Sequence, residues 1–495
     1  MPSPGSTMKV LSDLVDGRLS GDPDARVIDV THDSRQVKPG FLYVAVTGAR
    51  QDGHAFIGEA VANHAAGLCV SSSVQLPNTM GLPPRLEVQD TRRALPLAAA
   101  EVHGHPSRET ALIGVTGTNG KTTVAYMVEA IAASAGEKCG LIGTIVTRVG
   151  PTQIDNPRTT PEASDFQRVL RTMVDEGARV VVCEVSSHAL ALGRVDDSRF
   201  RVGAFTNLSQ DHLDFHPGME SYFEAKALLL ERAEQRVVWV DDPYGAILAE
   251  RYPDALTVGW DASVGASAIV STAKGSSFKL RIEGVEVDTR IHVPGRFNVA
   301  NAMVAAGISH LAGFSPAQIA AGLDNLMAVP GRFEVISGRH PVTVVVDYAH
   351  TPDGVGTVVN TARSLTRGRV VAVLGAGGER DRSKRPQMGG AASAADVVIV
   401  TSDNPRGENP ATIVDQVASG VDNPAIIKVM DRREAIRGAI AAAHPGDIVL
   451  ILGKGHETGQ EVAGVIHPFD DRQVAREELD SAGSAASDSD AGRDE

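Results

Sequence analysis

The sequence has little cysteine, few aromatic residues and no long apolar run. Its cysteines, Cys69, Cys139 and Cys183, are odd in number and widely spaced, which suits a reducing compartment and offers no metal-ligand spacing. The start of the chain lacks the apolar core of a signal peptide, and no apolar run is long enough to cross a bilayer. We therefore expect a soluble, cytoplasmic protein with no membrane partner.

A surplus of positive charge is also absent. The formal net charge of −14 argues against a general nucleic-acid-binding surface, so a bound nucleotide must be held by local basic residues and loop amides. Hydrophobic residues make up 42% of the 495 residues, which is ample for globular domains. At about 150 residues per domain, the length favours three domains.

The segment from Leu112 to Tyr126 carries the strongest functional signal. A short apolar run ends in a glycine-rich turn, which leads into a lysine, two threonines and a helical pattern. In such a strand–loop–helix order, loop amides surround phosphate oxygens, the lysine reaches the terminal phosphates and a threonine hydroxyl holds Mg²⁺. Val115 stands where a standard P-loop has its first glycine, so the alternative is a glycine-rich turn with an incidental lysine. The candidate ATP-binding residues here are Gly117, Thr118, Asn119, Gly120, Lys121, Thr122 and Thr123.

Composition and periodicity divide the chain into three blocks and a tail. Residues 1–106 have mixed strands and turns, and residues 107–340 repeat short β-branched runs that end in polar residues. Residues 341–480 again alternate such strands with helical patterns, which indicates a doubly wound domain. The tail, 481–495, is rich in Ser, Ala, Gly and Asp and is expected to be disordered.

The predicted fold class is α/β, with three domains. They are a mixed α/β N-terminal domain, a central P-loop parallel-sheet ATPase domain and a C-terminal doubly wound, Rossmann-like domain. Phe278–Ile282 and Val285–Val287 alternate around a turn, which predicts a small two-stranded antiparallel insert in the central domain.

Polar side chains that follow the central strands predict a metal site. Glu184 ends a fully apolar run, and a carboxylate there needs a cation to be tolerated. With the Thr122 hydroxyl, Glu184 and His212 are plausible ligands of a Mg²⁺ bound to triphosphate. The alternative for His212 and the nearby His216 is a polar loop that carries ordinary histidines.

Lys226 lies on the inward stripe of a predicted helix, together with Phe223, Ala227 and Leu230. Desolvation there would lower the pKa of the lysine, and a neutral amine can react with CO₂ to give a carbamate that ligates a metal. The alternative is a lysine whose stem is covered while its ammonium reaches water, and the pattern alone favours that alternative.

The second and third blocks offer further groups for a nucleotide. Asn301 lies near the start of a predicted helix, and Arg332 comes shortly before the third block, where it could meet phosphate. Asp347 and His350 follow a strand, where they could hydrogen-bond a ribose. The arginine could equally be a solvated turn residue.

Clusters after the later strands of the third block suit a zwitterionic amino acid. They are 377–385, 403–406 and 453–457, and together they offer guanidinium, amide and carboxylate groups to one crevice. Arginine suits bidentate recognition of a carboxylate, and Glu457 could receive an ammonium. The alternative is a set of unrelated charged loops, which their shared position after strands makes weaker.

With these motifs the chain resembles the Mur ligases of peptidoglycan synthesis. The short loop Gly117–Thr123 matches the ATP loop of that family, which folylpolyglutamate synthases share. The matching motifs that point to the members adding the third peptide residue are Asp33–Arg35, Thr159–Thr160, Glu184–His188, Thr206–Asp214 and Glu224–Lys226. Asp403–Arg406 and Gly453–Glu457 resemble the form of that enzyme that uses meso-2,6-diaminopimelate.

The resemblance implies an ATP-dependent amide-bond ligase that makes ADP and phosphate. It would activate the D-glutamyl carboxylate of UDP-N-acetylmuramoyl-L-Ala-D-Glu as an acyl phosphate, which the diaminopimelate amine then attacks. It implies a UDP-substrate-binding domain over 1–106, an ATP-binding domain over 107–340 and an amino-acid-binding domain over 341–480. It further implies Mg²⁺ as cofactor, no nucleic-acid partner and a monomer.

The resemblance also assigns roles to residues. Lys121, Lys226, Glu184 and His212 would be catalytic, with Lys226 carbamylated and holding metal beside Thr122, Glu184 and His212. The muramoyl dipeptide would contact Ser34, Thr159, Thr160, Ser186 and Arg194, and the nucleotide would contact Asn301, Arg332, Asp347 and His350. Diaminopimelate would be bound by Arg380, Asp403, Asn404, Pro405, Arg406, Gly453 and Glu457.

Other readings of the sequence remain open. A lysine-adding ligase of the same family would have to tolerate the positive charge of Arg406. A folylpolyglutamate-type ligase would not need the first block. A nucleotide-driven switch would leave the clusters after residue 375 unexplained, and a non-catalytic precursor-binding protein would not need Lys121 or Lys226.

Overall fold

The computed structural model describes residues 4–48, 51–74 and 82–491. Three larger sheets organise these described residues, one after another along the chain, and helices cover them. This arrangement confirms the predicted α/β class. Cys69, Cys139 and Cys183 are buried free thiols, and burial raises the pKa of Cys69 to about 12.

The first unit is a mixed sheet with helices on its faces. Its strands pair in the order β2-β7-β6-β5-β4, in which only the β2–β7 pair is antiparallel. The Asp90 carboxylate caps the helix α3 by accepting from the amides of Arg92 and Arg93. Its elements are β1 Ser6–Thr7, α1 Met8–Leu14, β2 Arg18–Ser20, β3 Arg26–Val27, β4 Asp29–Thr31, β5 Phe41–Val44, α2 Ile57–Ala62, β6 Gly67–Ser71, β7 Arg85–Val88 and α3 Thr91–Val102.

The middle unit is built on a long sheet whose central strands are parallel and buried. Parallel strands covered on both faces carry continuous apolar runs, such as the Val180–Cys183 run that precedes Glu184. The first part comprises β8 Ala111–Thr116, α4 Lys121–Ser134, β9 Cys139–Ile142, β10 Thr147–Val149, β11 Thr152–Ile154, α5 Ala163–Asp175, β12 Val180–Glu184, α6 Ser187–Ala191, β13 Phe200–Phe205, α7 Met219–Arg232, β14 Ala233–Trp239, α8 Pro243–Arg251 and β15 Leu256–Val258.

The antiparallel insert is larger than the sequence predicts. It comprises β16 Val264–Thr272, β17 Gly275–Ile282 and β18 Val285–Ile291, and it continues the edge of the central sheet through β15. The predicted antiparallel pair is confirmed as β17 and β18, and β16 adds a third strand that the sequence did not predict. The helices α9 Arg296–Leu311 and α10 Pro316–Asn325 follow it and pack with α4 against the sheet. The bulge between Ser267 and Val270 hid the third strand, because it interrupts the period-2 pattern.

The C-terminal unit is a doubly wound sheet in the order β19-β20-β24-β21-β22-β23. All pairs in this sheet are parallel except β19–β20, and β25 and β26 form a separate antiparallel pair. Its elements are β19 Glu334–Ile336, β20 Thr343–Asp347, α11 Pro352–Leu365, β21 Val370–Leu374, α12 Lys384–Ala392, β22 Val397–Val400, α13 Pro410–Ala418, β23 Ile426–Lys428, α14 Arg432–Ala441, β24 Ile448–Leu452, β25 Gly459–Val462, β26 Val465–Pro468 and α15 Asp471–Ala491.

One expected boundary shifts in the structure. Strand β19 lies before residue 340 but pairs with β20, so the change from the middle sheet to the C-terminal sheet falls before Glu334. Helix α15 runs from Asp471 to Ala491, residues 492–495 lie outside the described residues, and the disorder expected over 481–495 stays a prediction. Its alanines favour helix, and Val474 and Leu479 anchor its first turns in the core.

Among the helices of the described residues, none combines the length and the apolar character needed to cross a bilayer.

Candidate active site

The phosphate loop lies at the centre of the middle sheet. Strand β8 pairs on one side with β12 and on the other with β13, and all three run parallel. The residues after their carboxyl ends therefore meet at one edge, where ligands bind in open α/β sheets. This topology brings the loop 117–120 beside Glu184 and beside the segment that follows Phe205, as the sequence predicts.

Gly120 shows why the loop needs glycine. Its φ of +87° is left-handed, and it immediately precedes the first residue of α4. A Cβ added there would lie 2.5 Å from the Asn301 Oδ1. The loop thus packs directly on α9, and α4 directs its N-terminal amides towards the cavity in front of it.

Lys121 and Lys226 converge on one carbonyl. The Lys121 Nζ donates to the carbonyls of Gly117 at 2.8 Å and Thr118 at 2.9 Å, and the Lys226 Nζ donates to Gly117 at 2.8 Å. Lys226 is only 1% exposed, so the pattern-based preference for an ammonium in water is wrong. Burial, and secondarily the charge of Lys121, hold the pKa of Lys226 well below its ordinary value.

Glu184 is buried beside the start of α4. Its carboxylate accepts from the Thr122 hydroxyl at 2.8 Å, and from the Thr144 amide and hydroxyl at 2.9 and 3.0 Å. The Arg332 Nη2, from the connection to the C-terminal unit, donates to the Thr122 hydroxyl at 3.0 Å. Thr144 was not predicted, although it follows β9 and the strand-end rule could have found it.

His212 lies near the same edge in a left-handed backbone conformation. Burial, opposed by the neighbouring Asp211 carboxylate, lowers the pKa of His212 to about 3, so its imidazole is neutral at pH 7. The Asp211 carboxylate lies 3.5 Å from the His212 Nε2, 3.5 Å from the Lys384 Nζ and 3.9 Å from the His350 Nε2. Asp211 therefore links the middle unit to two residues of the C-terminal unit.

The donor set fits a hard cation in part. Across the described ranges, no three His, Cys, Asp or Glu side chains are grouped as a metal cluster. Glu184 and the Thr122 hydroxyl nevertheless supply adjoining oxygen donors, and His212 supplies a neutral nitrogen. A carbamate on Lys226 would add further oxygen donors.

A cavity of about 530 Å³ extends from the phosphate loop to the C-terminal unit. Most of the predicted nucleotide and metal residues line it, together with two of the predicted dipeptide residues. They are Thr118, Asn119, Gly120, Lys121, Thr122, Thr123, Asn301, Arg332, Asp347, His350, Glu184, His212, Thr159 and Ser186. Gly117 and Lys226 lie behind this surface and contact each other.

The Asp347 carboxylate is already hydrogen-bonded to backbone amides, which the sequence does not suggest. Its carboxylate accepts from the Phe333 amide at 2.6 Å and from the Ala349 amide at 2.7 Å. Burial raises its pKa. Asp347 therefore stabilises the segment that carries Arg332. The Arg332 guanidinium stacks 4.6 Å from the centre of the Tyr348 ring.

Both tryptophans of the chain line the nucleotide cavity, which the sequence did not predict. Trp239 and Trp260 pack edge to face with ring centres 5.6 Å apart, and the Arg296 guanidinium lies 4.1 Å from the Trp260 ring centre. The sequence did not predict Asp353 either. Its carboxylate accepts from the side-chain Nδ2 of Asn119 at 3.1 Å, across the gap between the middle and C-terminal units. No local pattern marks these residues, because distant elements bring them together.

A second, larger cavity of about 1430 Å³ lies between the first and middle units. Ser34, Arg194 and Arg380 line it, so it gathers candidate residues from all three units. The Ser34 hydroxyl donates to Glu59 at 2.6 Å, and Arg194 pairs with Glu162 at 2.7 Å.

Thr160 is buried beside the end of β12 and lines neither cavity. It is 1% exposed, and its hydroxyl donates to the Glu184 carbonyl at 2.8 Å and accepts from the Ser186 amide at 3.1 Å. Thr159 reaches Thr144 with a hydroxyl contact of 3.0 Å. Thr160 thus holds the backbone around the Glu184 carboxylate, whereas Thr159 and Ser186 line the cavity itself.

The predicted amino-acid residues of the C-terminal unit form a connected group. The Asn404 Nδ2 donates to Glu457 at 2.8 Å, and a Cβ on Gly453 would lie 2.5 Å from the Asp403 carboxylate. Asp403, Asn404 and Pro405 are buried, whereas Glu457 is partly exposed. The loops after β22 and β24 therefore meet, as the sequence predicts.

Arg406 lies at the open side of this group. Its Nη1 donates to the Gly378 carbonyl at 2.6 Å, and its Nε lies 3.3 Å from the Glu461 carboxylate. The side chain stays 22% exposed, so the pair with Glu461 does not bury it. A Cβ on Gly377 would lie 2.9 Å from the Arg406 Nη1 and 3.9 Å from the Arg380 Cγ, so the two arginines flank Gly377.

Comparison with known proteins places this geometry in a family. A model of the Mur ligase middle domain matches residues 115–309, and a model of the Mur ligase glutamate ligase domain matches residues 331–455. A UDP-N-acetylmuramoyl-L-alanyl-D-glutamate–2,6-diaminopimelate ligase from Streptomyces coelicolor is 42% identical over 493 residues, covering 95% of this chain and 96% of the relative. The protein of the same name from Aquifex aeolicus is 42% identical, covering 92% and 95%.

Solved structures agree with this assignment. A structure of the same kind of ligase has a TM-score of 0.68 at 30% identity and covers 96% of this chain and 99% of its own. The MurF ligase from Thermotoga maritima in complex with ADP has a TM-score of 0.65 at 19% identity, covering 92% and 98%, which shows a shared fold. This chain belongs to the Mur ligase family, whose members are ATP-dependent ligases.

Proposed function

We propose that this ligase adds meso-2,6-diaminopimelate to the D-glutamate of UDP-N-acetylmuramoyl-L-Ala-D-Glu in peptidoglycan synthesis. The relatives that carry this activity in their names match nearly the whole chain at 36–42% identity. ATP would activate the glutamyl carboxylate as an acyl phosphate, and the amine would then form the amide and release phosphate. The proposal includes a monomeric enzyme that acts in the cytoplasm.

One observation carries the choice of amino acid. Asn404 donates to the Glu457 carboxylate, and Glu461 connects Asn404 to the partly exposed Arg406, because its amide donates to the Asn404 Oδ1 and its carboxylate pairs with the Arg406 Nε. A carboxylate suits the ammonium of an amino acid, and a guanidinium suits a carboxylate. Diaminopimelate has a second carboxylate at its far end, whereas lysine has a cation there that Arg406 would repel. Arg380, Asp403, Pro405 and Gly453 complete the proposed subsite.

The loop residues 117–123 would bind the phosphates of ATP, with Asn301, Arg332, Asp347 and His350 around its base, ribose and phosphates. Lys121 lies on the loop carbonyls, from which its ammonium can turn to the terminal phosphates. Thr122, Glu184, His212 and Lys226 as a carbamate would hold Mg²⁺. When bound, the ion supplies positive charge against the charge that develops on the transferred phosphate.

The nucleotide sugar would occupy the larger cavity. Ser34 would contact the UDP group, whereas Thr159, Thr160, Ser186 and Arg194 would contact the muramoyl dipeptide. Thr159 and Ser186 line the nucleotide cavity beside Glu184, so a carboxylate held there would lie next to the phosphate loop. Positioning and electrostatics would then account for most of the catalysis.

The test is a parallel incubation of the purified protein with ATP, Mg²⁺ and the UDP-muramoyl dipeptide. Diaminopimelate, lysine, ornithine or no amino acid is offered, and the product is identified by mass. We expect tripeptide only with diaminopimelate, together with one phosphate released per amide formed. Tripeptide with lysine instead would assign the lysine-adding activity, and phosphate release without any amino acid would favour a nucleotide-driven switch.

A further inference from the structure

Lys454 is a buried lysine whose ammonium is fully hydrogen-bonded. It follows β24 and is 0% exposed, so it can touch neither bulk water nor a substrate in the open part of the group. Its Nζ donates to the Asn404 Oδ1 at 3.0 Å, to the Glu457 Oε2 at 3.0 Å and to the Gly459 carbonyl at 2.6 Å. An ammonium has three donors, and all three are used.

The first bond fixes the orientation of the Asn404 amide. The Asn404 Oδ1 accepts from Lys454 and also from the Glu461 amide at 3.0 Å. Two donors on one side require that this atom is the oxygen, so the Nδ2 must face the opposite way. That nitrogen donates to the Glu457 Oε2 at 2.8 Å.

The second bond fixes the Glu457 carboxylate. Lys454 and Asn404 both donate to its Oε2, and within the described residues no hydrogen bond uses its Oε1. The side chain of Glu457 is 30% exposed, so Oε1 is available to an incoming ammonium. A charge-assisted bond of this kind is stronger than a neutral one, but it depends on orientation.

The same network reaches Arg406. The Glu461 residue that donates its amide to Asn404 accepts the Arg406 amide on its own carbonyl at 3.0 Å. Arg406 itself has a left-handed φ of +51°, so this backbone bond helps to hold an unfavourable conformation. The carboxylate and the guanidinium of the group are thereby connected through the residues that Lys454 orders.

We propose that Lys454 is a positioning residue for the amino-acid substrate. It orients Asn404 and Glu457 so that Oε1 of Glu457 receives the substrate ammonium, and it does not contact the substrate. This inference rests on the proposed function, because it takes the group around Asn404 and Glu457 as the amino-acid subsite.

The test compares Lys454→Met, which keeps an unbranched stem but removes the donors, with Lys454→Arg, which keeps the charge. The KM for diaminopimelate should rise by about tenfold or more in Lys454→Met, because hydrogen bonds to charged groups are lost. The KM for ATP should stay within about twofold, and Lys454→Arg should recover part of the loss. Lys428→Met is the matched control, since Lys428 is exposed in the same unit and pairs with Asp415.

A double-mutant cycle with Glu457→Gln separates positioning from general damage. If Lys454 acts through Glu457, the loss caused by Lys454→Met becomes smaller in the Glu457→Gln background. An unchanged KM for the amino acid, or an equal rise in the KM for ATP, would overturn the inference. If Lys454→Met does not fold, Lys454→Gln is measured by the same criteria.

The wild-type enzyme keeps the two proposals apart. Failure of the wild type to use diaminopimelate would overturn the proposed substrate, and the KM comparison would then be made with the amino acid that it does use. Activity of the wild type with diaminopimelate, together with an unaffected Lys454→Met variant, would overturn only the positioning role.

Discussion

At the scale of single residues, the site depends on how far each charge is covered. Lys226 is buried almost completely, which favours its neutral amine, whereas the Arg406 side chain remains partly exposed. A covered amine can take part in metal binding as a carbamate, and an exposed guanidinium can exchange one carboxylate for another. The partner that Arg406 has in this structure, Glu461, is itself partly exposed, so a substrate carboxylate could replace it.

Replacing Arg406 by alanine should weaken the use of diaminopimelate and leave ATP binding intact. The lost charge-assisted hydrogen bonds correspond to about 1.5–3 kcal/mol, or about 10- to 150-fold in kcat/KM. Steady-state kinetics with diaminopimelate and a separate nucleotide-binding titration measure the two effects. Arg433→Ala is the control, because Arg433 is a surface residue of the same unit paired with Glu477. Unchanged kinetics with diaminopimelate would remove Arg406 from the proposed subsite.

At the scale of elements, the segment that leads into the C-terminal unit packs against the loop after β24. The contact is made at two glycines, Gly331 and Gly455. Gly331 has a φ of +63°, and a Cβ there would lie 2.1 Å from the His456 amide nitrogen. Gly455, in the opposing loop, has a φ of +53°, and its Cβ would lie 2.7 Å from the Gly331 carbonyl. This close approach positions Arg332 on Thr122 and Tyr348, and therefore connects the loop after β24 to the phosphate loop.

Gly331→Ala should lower stability and raise the KM for ATP together. Gly446→Ala is the matched control, because Gly446 also has a positive φ, +94°, but open space around it. The control should lose about 1–2 kcal/mol from backbone strain alone. Gly331→Ala should lose about 1–3 kcal/mol more, because the added methyl group clashes with backbone. Urea unfolding and ATP kinetics are the measurements, and equal losses in both variants would contradict the role of the crossing.

At the scale of the whole molecule, a few polar bridges join the units. Asp29 of the first unit accepts from Arg168 of the middle unit at 2.8 and 3.0 Å and lies 3.1 Å from the His103 Nε2. Burial would raise the pKa of Asp29, but the bonds from His103 and Arg168 more than offset this and hold the pKa below its ordinary value. The bridge therefore stabilises the fold above the pKa of the unfolded state and loses that contribution as pH falls through the folded pKa.

Asp29→Asn should weaken the docking of the first unit and flatten the acid dependence. At neutral pH we expect a loss of about 1.5–3 kcal/mol, because charge-assisted hydrogen bonds are removed. Below about pH 4 the wild type should lose this contribution, so the difference between the two proteins should shrink. The free energy of unfolding is measured against pH, with Asp13→Asn at an exposed surface pair as control. A difference that stays constant into acid would show that the bridge does not couple the units.

The sequence by itself determined the central parallel strands, the phosphate loop and the order of the units. Each of these features depends on a short sequence pattern. Examples are the apolar run that ends at Glu184 and the glycines before Lys121. The resemblance to a family added site residues, most of which line the nucleotide cavity or the group around Asn404.

Only the tertiary structure decided what each side chain meets. It buried Lys226 and Lys454, occupied Asp347 with backbone amides and brought both tryptophans to the nucleotide cavity. It also gave β19 to the C-terminal sheet and a third strand to the insert. Sheet order and the crossing of loops far apart in sequence set these contacts, and local periodicity does not record which distant segments will be neighbours.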